Sequence, residues 1–228
     1  MTTSSGHSPY EVVLGDALAV LHPRLSAYFS VIPAGSSGHG EGVFDIVGTP
    51  RRWLWPILWV LGRQGVLFPV YERAVAFTVT NTPLSRSGSA GEPGSPAIDA
   101  VRTFAFGGGA RAMVDRIGVA GSGANVSLVD DLGVAARYRA RLAAIVVNGE
   151  LHLSSTTTSV RLGRRRLALP AFVAPVVSLV ERFDDERDQQ HVTVILSSPL
   201  VGKLYEYSGY FTYELAATHG SATEGTTT

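Results

Sequence analysis

Two charged residues stand on strand-like faces that are otherwise apolar. Along Ile98–Phe106, side chains two apart share a face, which sets Arg102 beside Ile98, Phe104 and Phe106. Along Val177–Phe183 the same alternation sets Glu181 beside Val177, Leu179 and Phe183. A charge on such a face must find a partner if it is buried, because taking it out of water is costly. A Glu181–Arg102 pair inside a β-structure follows, and it has two readings. It is a structural ion pair or an exposed face, or it is a polarised site in an apolar pocket, able to orient a carbonyl or bind a carboxylate.

The run near the C-terminus adds hydroxyls. Tyr205, Tyr207 and Tyr213 share one face with Phe211, and Glu206 and Tyr210 share the other. A tyrosine lining a pocket supplies apolar contact and one placed hydroxyl, which can donate to a developing enolate or carbonyl oxygen. Tyr is also simply common in strands. Farther upstream, Tyr71, Arg73, Val75, Phe77 and Val79 fall on one face of Val70–Thr80. These patterns nominate Arg102, Glu181, Tyr205 and Tyr207 as polarising, catalytic groups. They nominate Trp55, Trp59, Phe77, Phe104, Phe106, Phe183, Phe211 and Tyr213 as ligand contacts.

Other chemistries lack a signal. There is no Cys, and the six His are scattered without metal-ligand spacing. No Lys follows Gly107-Gly108-Gly109, and no helical pattern follows Gly118–Gly123, so both are turns rather than phosphate cradles. The expectation is no metal and no cofactor. His152 alternates with Leu151 and Leu153 and reads as exposed. Arg164-Arg165-Arg166 reads as a solvated turn. A formal net charge of +0 gives no long-range field for nucleic acid.

The elements that must position these groups are mostly strands. From about Ala135 to Leu215, β-branched or alternating runs are separated by turn signals. The clearest is Asn148-Gly149 between Val146-Val147 and Glu150-Leu151, a pair that suits a two-residue hairpin. Further strands are expected at Gly42–Val47, Val70–Thr80, Ile98–Phe106, Arg111–Ile117 and Asn125–Leu132. Long antiparallel strands expose two edges, and closing into a barrel removes them. The fold class is mainly β: an antiparallel meander closed into a lipocalin-like barrel of about ten strands, spacious enough inside for a small ligand.

Helical pieces belong to the first third. Ser8-Pro9-Tyr10-Glu11 carries a capping box, and Val13, Ala17, Val20 and Leu21 continue at helical spacing until Pro23 ends or kinks the helix. Arg51 to Arg63 brackets Trp53-Leu54-Trp55-Pro56-Ile57-Leu58-Trp59-Val60-Leu61, which holds all three Trp. That run is too short to span a bilayer, which takes about 20 residues. It is a helix plugging one barrel end, a lid over a cavity, or a membrane-interface anchor. Pro83–Pro96 reads as a surface insertion, Met1–Ser8 lacks the pattern of a signal peptide, and 219–228 reads as a disordered tail. Residues 1–218 are expected to form one domain, in a cytoplasmic protein.

Several stretches together resemble a bacterial family, domain of unknown function 4166. They are Leu21-His22-Pro23, the Arg102-Thr103-Phe104 strand followed by glycines, and Leu169-Pro170 followed by an apolar turn and Glu181. The last is Ser198-Pro199-Leu200-Val201-Gly202 running into Tyr205-Glu206-Tyr207-Ser208-Gly209-Tyr210. The resemblance covers most of the chain, makes a β-rich domain coherent over its length and carries no activity with it.

The functional expectation is a cofactor-free cyclase or isomerase acting on a hydrophobic polyketide- or terpenoid-like metabolite held inside the barrel. Its mechanism would be shape, with one or two polar groups polarising a folded substrate. The alternative is a non-catalytic carrier of a lipid-like molecule. A third option is a structural partner of another enzyme, docking by the Trp helix. Nucleic acid and stable membrane insertion are not expected as partners, and a homodimer is left open.

Overall fold

The computed structural model of the chain describes residues 6–84, 95–170, 172 and 174–217. Among these, eleven strands form one antiparallel sheet. They are β1 (Ser36–Gly48), β2 (Tyr71–Leu84), β3 (Ala97–Phe106), β4 (Gly109–Ala120), β5 (Ser127–Leu132) and β6 (Tyr138–Val147), then β7 (Glu150–Leu162), β8 (Arg165–Ala168), β9 (Val176–Asp184), β10 (Gln189–Ser198) and β11 (Gly202–Ala217). Ten of them close a ring. β1 pairs with both β2 and β11, β6 pairs with β7, and β7 pairs with β9. β8 stands outside the ring, paired with Ser159–Leu162 of β7, while Leu151–Ser154 of β7 pair with β9. The expected closed barrel of about ten strands is therefore what the chain forms, and closure leaves its ring without a free edge.

The turn chemistry explains much of this order. Asn148 and Gly149 sit at φ 51° and 81° and join β6 to β7 as a tight hairpin, as the Asn-Gly pair demands. β1 is longer than its sequence suggests: Pro33–Gly42 reads as a Gly/Ser loop, yet Ser36–Gly42 pair with β11 and Gly38–Gly42 also pair with β2. Its glycines make room. A Cβ at Gly38 would lie 1.5 Å from the Tyr213 hydroxyl oxygen, and one at Gly42 would lie 2.6 Å from Phe211 Cβ. β2 departs from strict alternation. Ala74 has φ 53°, so Tyr71 and Arg73 turn outward while Val75, Phe77 and Val79 stay in the core. Pro83 and Leu84 end β2; most of the expected Pro83–Pro96 insertion and all of 219–228 lie outside the described residues.

The barrel is stoppered at both ends. The upper end, where β1 begins, holds α1 (Pro9–Leu14), a 3-10 segment over Gly15–Val20 and α2 (Pro23–Phe29). The capping box at Ser8 and Glu11 is present as expected, and the Ser8 hydroxyl also donates to the Phe29 carbonyl at 2.5 Å, tying the start of α1 to the end of α2. Pro23 does not end a helix. It is the first residue of α2, where its missing N–H costs nothing; α1 has given way to the 3-10 segment at Gly15, and that segment ends at Val20. Leu14, Leu21, Leu25 and Phe29 bury against Ile117, Leu128, Leu142 and Leu151 of the wall. His22 N–H donates to the Gly149 carbonyl at 2.9 Å and pins the plug to the β6–β7 turn.

The lower end holds a 3-10 turn (Arg52–Leu54), α3 (Trp55–Gly62) and the return through Val66, Leu67 and Phe68. Leu54 and Leu58 face the core, while Trp53, Ile57 and Trp59 are each more than half exposed. A plug is thus what the Trp-rich segment makes with its aliphatic face. No helix among the described residues is long and apolar enough to cross a membrane. The outward positions of the ring include Glu41, Asp45, Thr78, Thr103 and Thr212, which is not the apolar band of a membrane-spanning barrel.

Candidate functional site

Between the two plugs lies a cavity of about 140 Å³. Alternation along the strands explains its wall. Phe77 and Val79 enter from β2, Met113, Asp115 and Ile117 from β4, Val177, Leu179 and Glu181 from β9, and Tyr207 and Phe211 from β11. Tyr10 of α1 and Tyr28 of α2 reach down from the upper plug, and Val66 and Leu67 rise from the lower one.

Four acidic or basic side chains break this apolar surface: Arg102 on β3, Asp115 on β4, Asp130 on β5 and Glu181 on β9. Arg102 and Asp115 form an ion pair between neighbouring strands, with Asp115 only 3% exposed. The expected Glu181–Arg102 pair does not form. Arg102 turns to Asp115 on the adjacent strand, and Glu181 instead accepts a 2.8 Å hydrogen bond from Gln190 Nε2 on β10. Asp130 has no such partner. Its Oδ1 is shielded from solvent and makes no hydrogen bond among the described residues.

The electrostatics follow from that geometry. Burial pushes the Glu181 carboxyl up to about 7, against the lowering effect of the Gln190 hydrogen bond and the Arg102 charge. Burial also raises Asp130 well above the ordinary carboxylate range, and repulsion from Asp115 adds to it. Asp115 is raised by burial too, with Arg102 pulling it back. Burial opposes the charge on Arg102, but Asp115 outweighs it and keeps the guanidinium protonated. Burial holds the phenols of Tyr10, Tyr28 and Tyr207 neutral, as hydrogen-bond donors. Three carboxyl groups share one guanidinium in this apolar wall, so burial favours the proton-bound forms of Asp130 and Glu181.

Of the residues nominated from sequence, Arg102, Glu181, Tyr207, Phe77 and Phe211 line the cavity. The others stand elsewhere. Tyr205 points inward but is packed near Phe68, outside the cavity lining. Phe104 and Phe106 are stacked on each other at 5.4 Å beneath the lining. Trp55 packs on the lower core, and Trp59 lies on the surface under Arg63 at 3.7 Å. Phe183 is stacked on His22 at 4.7 Å. Tyr213 accepts from Asn81 Nδ2 and meets Tyr28 edge-on at 4.5 Å. Phe183 and Tyr213 instead line an outer groove at the upper end with Arg24 and Asp188, and Tyr28 and Phe211 border both that groove and the cavity. Sequence reasoning missed Asp115, Asp130, Gln190, Tyr10 and Tyr28. A signal was present for the two aspartates, since Met113-Asp115-Ile117 and Leu128-Asp130-Leu132 alternate just as the Arg102 strand does.

A closed antiparallel barrel around an apolar, acid-bearing cavity is lipocalin-like in architecture. The chain belongs to the family described as Domain of unknown function (DUF4166), whose model matches residues 21–211. Every cavity-lining residue except Tyr10 falls inside that match. No curated protein and no solved structure matches the chain. Among the described residues, no group of three or more His, Asp or Glu is arranged to hold a metal ion.

Proposed function

We propose that the cavity is the active site of a cofactor-free isomerase or cyclase acting on a hydrophobic small molecule. The observation that supports this reading is Asp130, a carboxyl group set in the wall with a shielded, unpartnered oxygen and a raised affinity for its proton. A carrier has no use for such a group, which costs stability. An isomerase does. A neutral carboxylic acid can protonate a substrate carbonyl or alkene, and Glu181, poised near pH 7, can take a proton from carbon. One proton goes on and one comes off, so the product is an isomer of the substrate. The Arg102–Asp115 pair supplies fixed charge that orients the polar end, and Tyr207 and Tyr28 supply neutral donors for an oxygen that gains charge.

Size limits the substrate. A dry cavity of roughly 150 Å³ takes a single benzene ring, so this one as it stands holds one ring of a polyketide- or terpenoid-like molecule. A larger substrate requires the upper plug to move. The proposal sets the reaction in the cytoplasm; sedimentation distinguishes a monomer from a homodimer.

The test is incubation of the protein with an apolar extract of its producer cells, followed by chromatography and mass spectrometry. A consumed compound replaced by a same-mass isomer is expected. Asp130→Asn and Glu181→Gln should each cut turnover by about 10²-fold or more while retaining binding. A compound bound and returned unchanged would instead make the protein a carrier.

A further inference from the structure

The net charge of +0 conceals a separation of charge along the barrel axis. The lower connections, among the described residues, are 49–70, 107–108, 133–137, 163–164 and 199–201. They carry Arg51, Arg52, Arg63, Arg137 and Arg164 and no Asp or Glu. None of these five makes an ion pair among the described residues. Two carboxylates at the lower strand ends are engaged elsewhere: Glu72 accepts from Gly107 N–H, and Glu206 accepts from Lys203 Nζ at 2.7 Å. The upper end is the reverse, with Glu11, Asp16, Asp185, Glu186 and Asp188 against Arg24 and Arg187 among the described residues.

The same lower end exposes large apolar side chains from separate connections. Trp53, Ile57, Trp59, Val134 and Leu200 are each more than half exposed. Exposed aromatic residues of the described chain concentrate here, whereas the upper end exposes aliphatic groups such as Val20 and Leu215. Apolar side chains of this size on loop tips and one short helix, ringed by unpaired arginines, match the two components of interfacial membrane binding: burial of apolar groups among acyl chains and attraction to anionic headgroups. Arg63 and Arg52 lie over the rings of Trp59 and Trp55, which holds a cation beside each of these indoles. We infer that the lower end of the barrel docks on an anionic lipid bilayer, inserting α3 and the neighbouring loop tips to interfacial depth. Nucleic acid would match the arginines and leave the apolar tips unexplained. The docked end is also one wall of the cavity, through Val66 and Leu67, so a lipid-dissolved ligand meets the barrel there.

The tryptophans make the test direct, because all three of the protein lie in this segment. The whole protein is mixed with vesicles of phosphatidylcholine alone or with 30% phosphatidylserine, at about 50 mM and 500 mM NaCl. Sedimentation with the anionic vesicles, a blue shift of tryptophan emission and quenching by brominated acyl chains are expected, with binding weakened at least tenfold by the higher salt. Arg51→Glu/Arg52→Glu/Arg63→Glu should reduce binding at least tenfold, and Ile57→Ser/Trp59→Ser should do so with the arginines intact. These side chains, apart from a partly covered Arg51, are exposed, and circular dichroism verifies that each variant is folded. Failure of the wild-type protein to sediment with anionic vesicles overturns the inference without recourse to any variant. Equal binding to neutral vesicles, or binding of RNA with no lipid-induced shift of the tryptophans, overturns it as well.

Discussion

Glu181 binds its proton more tightly in the folded chain than in the unfolded one, and this has a direction in pH. Its carboxyl is raised to about 7 by burial, above an unfolded value near 4.3. Between those values the folded state carries more protons than the unfolded state, so stability falls as pH rises through the window. The contribution is fully present below about pH 4 and is lost by about pH 8, and a shift of this size is worth roughly 4 kcal/mol, most of it between pH 5 and pH 8. Asp130 acts in the same direction. Urea unfolding at pH 5 and pH 8 should therefore show a weaker protein at pH 8, and Glu181→Gln should remove about 3 kcal/mol of the difference. A wild-type protein equally stable at both values would mean that the cavity carboxyls are not held protonated. Arg102, Glu181 and Tyr207 were legible in the sequence because alternation alone assigns a face. The partner of Arg102 was not. Whether it meets Asp115 or Glu181 depends on which strands are neighbours and in what register, and no single strand encodes that.

At the scale of elements, the upper plug turns on a few polar contacts. Ser8 caps α1 through its hydroxyl and holds the α2 carboxy-terminus through the Phe29 carbonyl, while being 3% exposed. Ser8→Ala removes a cap and leaves a buried carbonyl unpaired, a loss of about 2 kcal/mol. Hydrogen exchange should speed up across residues 9–29 and stay slow in the barrel strands, because the plug opens as its own unit. Uniform acceleration across β1 to β11 would show instead that plug and barrel unfold together. The cap was legible, since Ser8, Pro9 and Glu11 are a local signature. The role of Pro23 was not, because a proline after an apolar run ends one helix or starts the next. What decided it here was Gly15, whose φ of 52° ends α1, and extended Leu21, which ends the 3-10 turn before Pro23. The same limit applied to Ser36–Gly42, where glycines that suggest a loop are the space that Tyr213 and Phe211 occupy.

At the scale of the whole molecule, closure converts loop composition into a property of position. An up-and-down barrel sends alternate connections to opposite ends, so charge placed in every other connection accumulates on one face. In this chain the arginine-bearing connections follow β1, β5 and β7, and the acidic ones precede β1 and follow β9. Neither sum nor average reveals this, and a sequence pI of about 7.0 predicts weak retention on any ion exchanger near neutrality. A segregated surface behaves differently, because an exchanger samples one face at a time within a Debye length of about 10 Å at 0.1 M salt. The protein should bind a cation exchanger through its lower end at pH 7.5 and about 20 mM NaCl, and elute as the salt approaches 0.2 M. Arg51→Glu/Arg52→Glu/Arg63→Glu, which changes the net charge from +0 to −6, should abolish that retention. Glu186→Gln/Asp188→Asn, at the opposite end, should leave it nearly unaltered even though it too changes the net charge. If retention instead tracks net charge in both variants, the surface field is averaged over the molecule and the polarity of the barrel ends has no electrostatic reach.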